Sequence, residues 1–465
     1  MDHQLDVGPD RTPAAVRMFT MLAAGFVVAL GVVQALSSGD SEASEPATAL
    51  VTDELWVTVA AALVFFMQAG FLAFEVGLAR PHHTTAVAMK NMVDWVAASF
   101  AFFLVGFAFM FGDGNAWIGT DLFALVDLPT NIDAPISGFT FFLFQLAFAG
   151  TAITIVSGSL VERTTFLSYT IAAVIIGFVI YPIFGRWAWA SLFNSANVGW
   201  LEAQGFLDFA GATVVHSVGA WVALVGVIIV GPRIGRFDSD GTPRNFPPSN
   251  MATTVMGVLI LWFGWWGFNG GSALAFDNSV PKIILATNLS GVAALGSAGL
   301  HAFVFQQRSQ MYSKLIGGGL SGLVAITASA NIMEPSGAIA IGLIAGVLHN
   351  LGADVLLRFG VDDALGVIPV HGIAGVWGTL AIAVFAPAGV LERTRLDQLS
   401  VQALGVVVCF VWTVGIAFTL FKGLERVVGL RVSPARELGG LQEWVDDVEL
   451  DEDDLFDDEL RELLS

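Results

Sequence analysis

The segment DFAGATVVHSVGAWVALVG at residues 208–226 and the segment DDALGVIPVHGIAGVWGTLA at residues 362–381 each place one histidine within apolar sequence. In both, an aspartate stands eight residues before the histidine, which gives the pairs Asp208 with His216 and Asp363 with His371. Ionisable side chains are costly in hydrocarbon and usually face a pore or a bundle interior. The matched pair predicts an internal repeat, and repeats that meet at a site near the bilayer midplane are typical of secondary transporters.

The composition fixes the class of protein. Of the 465 residues, 55% are hydrophobic and only 13% are charged, which excludes a soluble globular domain. Apolar stretches of about 20 residues predict membrane-spanning helices. We predict an all-α polytopic membrane protein with eleven transmembrane helices, at residues 55–80, 92–111, 138–160, 166–185, 209–231, 250–272, 283–305, 315–334, 337–357, 364–386 and 401–423.

Basic residues alternate between the loops and predict the orientation. Six regions rich in arginine and lysine, the first with Arg80 and the last at the C-terminus, are expected to be cytoplasmic. The opposite loops are poorer in bases, with the exceptions Arg186, Lys282, Arg393 and Arg395. The body therefore starts outside the plasma membrane and ends in the cytoplasm, as a 5+5 inverted repeat plus one extra helix.

The termini lie outside this repeat. Residues 1–36 fit a signal peptide or an additional N-terminal helix, and residues 37–54 fit an extracellular acidic linker. Residues 55–423 form the predicted transmembrane domain, and residues 424–465 a cytoplasmic C-terminal region. From residue 437 onward there are thirteen acidic residues and one basic residue, which predicts a solvated acidic tail.

The histidines divide into two groups. His301 and His349 stand alone in apolar helices and are expected to hydrogen-bond to a neighbouring helix. His216 and His371 have duplicated surroundings and are expected to be neutral rings in contact. A neutral imidazole donates at one nitrogen and accepts at the other. Two such rings can coordinate a small hydrogen-bonding solute or pass a proton, but they carry no charge to hold a metal ion.

Asp208 and the aromatic residues supply the remaining candidates. Asp208 is predicted to cap the start of its helix, where its charge also stabilises a nearby cation; Asp363 is predicted to be a cap alone. FQLAF, WAW and WFGWWGFNGGSA, beginning at Phe144, Trp187 and Trp262, lie at the outer ends of predicted spans. Such aromatic residues commonly anchor helices at the interface, and with the Ser272 hydroxyl they can also bind a cation.

These motifs resemble those of the ammonium transporter (Amt/Rh) family. The resemblance rests on DFAGATVVH and DDALGVIPVHGIAGVWGTLA, together with WFGWWGFNGGSA, FQLAFAGTAITIVSGSLVER and MQAGFLAFEVGLAR. It covers residues 53–440 in the family's order. Two departures are Ala328, where relatives often carry proline, and the acidic extension after about residue 442.

The resemblance implies a homotrimer with one pore per subunit. It implies that Trp189, Phe148 and Ser272 recruit ammonium above Asp208, and that Phe148 and Phe268 form a gate. His216 and His371 would line the pore, with Gln145 and Trp265 as supporting residues. Ammonium would lose its proton near the gate and cross as ammonia, with the proton following or staying outside.

Several other expectations follow from the same resemblance. The partners expected are ammonium or ammonia, membrane lipid and a PII-type signalling protein on the cytoplasmic face. No enzymatic activity, cofactor, metal site or nucleic-acid partner is expected. The alternative is an ammonium sensor that uses the transporter fold with little flux. An intramembrane hydrolase is disfavoured, because the sequence lacks a motif such as His-Glu-x-x-His.

Overall fold

The computed structural model describes residues 45–307 and 310–440, and its compact body begins at Leu50. These residues form helices joined by loops and isolated β-bridges. The long helices are α1 (Glu45–Leu78), α2 (Pro81–Phe111), α3 (Gly138–Leu160), α4 (Phe166–Leu192), α5 (Ala212–Val230), α6 (Met251–Gly271), α7 (Ser279–Val304), α8 (Met311–Thr327), α9 (Pro335–Arg358), α10 (Ile368–Phe385) and α11 (Arg395–Val427), and a short α12 (Pro434–Gly439) follows. The predictions for residues 1–36 and for the acidic tail after residue 440 fall outside this description.

The predicted all-α membrane fold is confirmed. Ten of the described helices are long and apolar enough to cross a membrane. The other predicted span, α8, has 17 residues and is almost entirely buried between its neighbours. Seventeen residues rise about 26 Å, at the short end of what a bilayer core requires. The predicted end of this span at residue 334 was too late, because the helix gives way to turns after Thr327.

The first two helices begin earlier than predicted. Helix α1 starts at Glu45, so the expected linker at residues 37–54 is helical in its second half. Glu54 accepts hydrogen bonds from the backbone and hydroxyl of Ser137, both at 2.6 Å, so its charge ties a loop to the helix. Helix α2 starts at Pro81 instead of residue 92, because polar residues near its start, such as Lys90, are buried against other helices.

Helices α5 and α10 begin with matching irregular turns. Each opens with a six-residue π-helix, Ala212–Ser217 and Ile368–Ile373, and each π-helix contains the histidine. Wide turns of this kind often mark functional sites. Asp208 and Asp363 each accept hydrogen bonds from backbone N–H groups at the helix start, as the repeat predicts.

Helices α7, α8 and α9 pack through small residues. A Cβ atom added to Gly342 would lie 2.1 Å from the carbonyl oxygen of Ser290, so only glycine allows this approach of α9 to α7. The Ser290 hydroxyl in turn donates to the carbonyl oxygen of Gly322 on α8, at 2.7 Å. Small residues and interhelical hydrogen bonds are the usual basis of close helix packing in membranes.

One end of the bundle, here called the arginine face, carries a buried ion network. Its members are Arg80, Glu162, Arg163, Arg233, Arg236, Asp362, Arg431 and Glu437. Arg233 binds Asp362 at 2.8 and 3.0 Å and Glu162 at 3.1 Å. Glu437 of α12 accepts from the Ile234 backbone at 2.7 Å, which fixes the C-terminal segment to this face. The other end, where Trp189 and Ser272 lie, is called the vestibule face.

Two of the exceptional bases, Arg186 and Arg395, have structural partners on the vestibule face. Arg186 is 1% exposed and donates to the carbonyl oxygens of Gly112 and Asn115, at 2.6 and 2.9 Å. Arg395 donates to three carbonyl oxygens at the end of α10, which is a favourable position for a cation. Both side chains donate hydrogen bonds to backbone carbonyl oxygens of a loop or a helix end. This explains why these two basic residues lie on the face that is otherwise poor in bases.

Replacing Asp362 with asparagine is expected to lower the free energy of unfolding by about 3–5 kcal/mol, because arginines would be left with a buried neutral partner. Burial alone would raise the pKa of Asp362, but Arg233 and Arg163 hold it below its usual range. The stabilisation is therefore present above about pH 4 and is lost as the pH falls through the lowered pKa. Thermal unfolding in detergent between pH 3 and 7 measures this.

The control is Asp240→Asn, which removes a carboxylate from an exposed loop. It is expected to leave the melting temperature unchanged. An Asp362→Asn variant as stable as the unmodified chain at pH 7 would contradict the prediction.

Candidate functional site

Asp208 organises the start of α5. Its Oδ1 accepts from the backbone N–H groups of Gly211 and Ala212, at 3.0 and 2.9 Å, and its Oδ2 accepts from Thr213 and Val214, at 2.9 and 2.8 Å. The side chain is buried, with 6% exposure. Burial raises the pKa of Asp208 to about 6, against the effect of these four donors, which favour the carboxylate form. The predicted cap is therefore present, and its carboxyl group lies under the vestibule face.

Gly211 allows Trp189 to approach this cap. Its φ is +102°, and an added Cβ would lie 3.0 Å from the Trp189 ring. The indole N–H of Trp189 donates to the Asp208 carbonyl oxygen at 2.6 Å. The cap and the aromatic wall of the vestibule are thus built as one unit.

Two phenylalanines close the floor of the vestibule. Phe148 and Phe268 stack with ring centroids 4.0 Å apart and an angle of 15° between their planes, and Phe148 also meets Trp189 edge to face at 6.2 Å. Ser272 lies one turn beyond Phe268 and donates to its carbonyl oxygen at 2.8 Å. This leaves the lone pairs of the Ser272 oxygen for another partner.

The histidine pair lies directly under the phenylalanine stack. The ring of His216 stacks on Phe268 at 5.4 Å and on Trp265 at 5.1 Å. Trp265 is held by a hydrogen bond from its indole N–H to the Thr327 hydroxyl, at 2.9 Å. Aromatic faces therefore fix the orientation of the first histidine.

The two histidines contact one another through like nitrogens. The Nδ1 atoms of His216 and His371 are 3.2 Å apart, and the rings are nearly parallel. One nitrogen must donate and the other accept, so the two facing nitrogens share a single proton. The Nε2 atom of His216 is buried and has no hydrogen-bond partner within the described chain. It is therefore available to a solute or a proton arriving past Phe268.

The structure brings most of the candidate residues into one file. From the vestibule face this file contains Ser272, Trp189, Phe148, Phe268, Trp265, His216 and His371. Gln145 lies one turn before Phe148 and is 2% exposed, and its Oε1 has no partner among the described residues. Residues 45–307 and 310–440 contain no group of three His, Cys, Asp or Glu side chains placed to hold a metal ion.

Two further residues lie near the file: Glu75, which was not singled out from sequence, and His349, which was expected only to hydrogen-bond to a neighbouring helix. Glu75 lines a cavity next to His371, and His349 lies close enough to His371 to interact with it electrostatically. A carboxylate within an apolar span is itself a signal of function, and Glu75 stands in such a span. His301 does hydrogen-bond to the neighbouring helix, through Asn350 at 3.3 Å, but the Nδ1 atom of His349 has no hydrogen-bond partner among residues 45–307 and 310–440.

Comparisons with known proteins agree with the fold and the motifs. The family model described as Ammonium Transporter Family matches residues 55–447. A putative ammonium transporter of Synechocystis is 44% identical over 396 residues, which are 84% of this chain and 72% of that protein. The ammonium transporter Amt2 of Archaeoglobus fulgidus is 38% identical over 416 residues, covering 84% of this chain and 86% of that protein.

Solved structures are similar as well. The structure titled Sensor Amt Protein aligns with a TM-score of 0.82 and 42% identity, over 85% of this chain and 98% of that one. The crystal structure of Saccharomyces cerevisiae Mep2 aligns with a TM-score of 0.74 and 25% identity, over 82% of this chain and 88% of that one. The matched residues include both histidine segments and every helix from α2 to α11, and the chain therefore belongs to the ammonium transporter family.

Proposed function

We infer that this chain transports ammonium across a membrane, and that ammonium is bound at the vestibule and passes the histidine pair as ammonia. The observation that carries this inference is the order of groups along the file: an aromatic vestibule over a buried carboxylate, then stacked phenylalanines, then paired imidazoles. These groups are suited, in this order, to binding ammonium, removing its proton and passing ammonia.

Trp189, Phe148 and Ser272 recruit the cation. Aromatic faces attract ammonium through their quadrupoles, and the free lone pairs of the Ser272 oxygen accept one of its hydrogen bonds. The charge of Asp208 stabilises the cation from below without touching it, since all four of its hydrogen bonds go to the backbone. Gln145 supports Phe148 from the preceding turn.

The gate and the histidines favour a neutral species. Moving an intact ion into an apolar constriction costs on the order of tens of kcal/mol in the idealised limit. Ammonium avoids this cost by leaving a proton near the Phe148 and Phe268 gate, and ammonia then follows His216 and His371 through the pore. Potassium has a similar size but no proton to lose, so the same pore rejects it. Trp265 keeps the imidazole of His216 in position.

The orientation, the assembly and the regulatory partner complete the proposal. The arginine face carries most of the bases, so we place it in the cytoplasm of the cell and the vestibule face outside. Residues 424–465 then form a cytoplasmic region, and α12 offers a PII-type protein a fixed surface there. We expect a homotrimer in the plasma membrane with one pore in each subunit.

The test is transport by purified protein in proteoliposomes. An ammonium pulse is expected to produce a saturable current or an internal pH change faster than in protein-free liposomes. A tenfold excess of potassium is expected to change the initial rate by less than about twofold, because potassium cannot be deprotonated. Inhibition in proportion to potassium would overturn the deprotonation step, and a rate equal to that of empty liposomes would overturn transport.

A sensor is the second candidate. The 42% identity to the structure titled Sensor Amt Protein favours it, as does the attachment of α12 to the pore-bearing body through Glu437. A sensor would bind ammonium at the vestibule and change the environment of α12 with little flux. Ammonium binding to detergent-solubilised protein, measured beside the flux assay, separates the two functions.

A further inference from the structure

A small cavity continues the file beyond the histidine pair, toward the arginine face. Its lining includes Glu75, Trp265 and His371, and the remaining walls are mainly apolar, with Phe71 and Ile155 among them. It has room for about one molecule the size of water. A solute that has passed His371 enters this cavity next, and Glu75 is the carboxylate it meets there.

The Glu75 carboxylate is held through one oxygen, and its other oxygen lies beside the lining of the cavity. Its Oε2 accepts from the Asn91 amide at 2.9 Å and from the Ser157 hydroxyl at 2.8 Å. Its Oε1 lies 3.4 Å from the position of a Cβ on Gly158, a residue that also lines the cavity. The residue is only 2% exposed, so the carboxylate is enclosed by protein at the edge of this cavity.

Charged and polar groups surround Glu75 and hold its position. Lys90 and Asp94 interact with Glu75 electrostatically; Lys90 also donates to the Thr164 carbonyl oxygen at 2.6 Å, and Asp94 accepts from the Tyr169 hydroxyl. This network fixes the Glu75 side chain beside the cavity that His371 also lines.

We propose that Glu75 is the group that returns the proton to ammonia on the arginine side of the histidine pair. This proposal rests on the proposed function. The N–H bond of ammonium breaks near the gate, and His216 accepts the proton at Nε2. The proton shared by the two Nδ1 atoms then moves to His371, which passes a proton from Nε2 to the Glu75 carboxylate. Ammonia in the cavity takes that proton, forms ammonium and leaves Glu75 as a carboxylate again.

The geometry points to Glu75 rather than His349 as the receiving group. His349 packs its ring against Gly317 on α8 and interacts electrostatically with the partly buried pair of Lys314 and Asp354. It does not line the cavity next to His371. Ammonia can be protonated again only where it lies beside a proton donor. Within the described chain, Glu75 is the carboxylate that lines the cavity next to His371.

The experiment compares charge movement with ammonia movement in proteoliposomes. Glu75→Gln keeps the shape and the acceptor oxygen for Asn91 but cannot bind a proton. The current is expected to fall at least tenfold, while the ammonia-driven pH change stays within twofold of the unmodified chain. Glu75→Asp retains a titratable group and is expected to restore part of the current. Asp94→Asn removes a buried carboxylate outside the cavity and is expected to retain the coupling of current to flux.

The possible outcomes separate this proposal from the proposed function. Unchanged current in Glu75→Gln would overturn the role of Glu75, and so would a larger loss of current in His349→Gln. Ammonia flux without current in the unmodified chain would also overturn it, while leaving the transport function intact. Absence of both signals in the unmodified chain would overturn transport itself. If Glu75→Gln fails to fold, Glu75→Asp decides: a current, relative to flux, that falls below that of Asp94→Asn supports the role of Glu75, and a current equal to that of Asp94→Asn overturns it.

Discussion

Ammonium-evoked current is expected to fall by about ten- to a hundredfold in His216→Ala. The variant leaves the Nδ1 atom of His371 without its partner at 3.2 Å, and an unsatisfied buried polar group costs about 1–3 kcal/mol. It also removes the nitrogen that receives the proton behind the gate. Initial currents in proteoliposomes, normalised to the amount of protein, measure the effect.

His301→Ala is the matched control, because it removes a helix histidine that lies outside the pore file. His301 contacts Asn350 on the neighbouring helix, so its loss is expected to leave the current within about twofold. A His216→Ala current equal to that of His301→Ala would show that the histidine pair takes no part in charge transfer.

Asp208→Ala is expected to cost several kcal/mol of folding free energy and to abolish saturable ammonium transport. Four buried N–H groups lose their acceptor, and each unsatisfied group is costly. Trp189 is bonded to the backbone carbonyl oxygen of residue 208, which alanine retains, so we expect the vestibule wall to move only as far as the uncapped turn rearranges. The melting temperature in detergent and the concentration dependence of transport report these two effects separately.

Asp363→Ala provides the comparison, because Asp363 caps the other half of the repeat. It accepts from the Ile368 backbone at 2.7 Å and from the Ser159 hydroxyl at 2.9 Å, so its loss also lowers the melting temperature. It lies on the arginine side and is not expected to weaken ammonium recruitment. Equal weakening of recruitment in both variants would contradict the role of Asp208 at the vestibule.

The apolar pattern predicted the helices well where each span is bounded by loops. Helix α3 is found at the predicted residues, and α6 differs by one residue at each end. The two aspartate caps also follow from their sequence positions, because each precedes a helix start. Local sequence determines these features, and so local sequence is sufficient to predict them.

Features that depend on distant residues were not predictable in the same way. The early start of α2 depends on Lys90 reaching the carbonyl oxygen of Thr164 on another part of the chain. The π-helical form of the histidine turns is another such feature. The position of the Glu75 carboxylate depends on Asn91 and Ser157 holding one of its oxygens, which brings together three helices. A hydropathy profile counts such polar residues against a membrane span, because it takes no account of the hydrogen bonds that they form with one another.

The stacked rings of Phe148 and Phe268 have a consequence for how transport proceeds in time. If these rings, whose centroids are 4.0 Å apart, form the proposed gate, each molecule has to wait for them to separate before it passes. We then expect passage of one molecule at a time, with a maximum rate that depends on how often the two rings move apart. Such transport is expected to saturate however steep the ammonium gradient becomes.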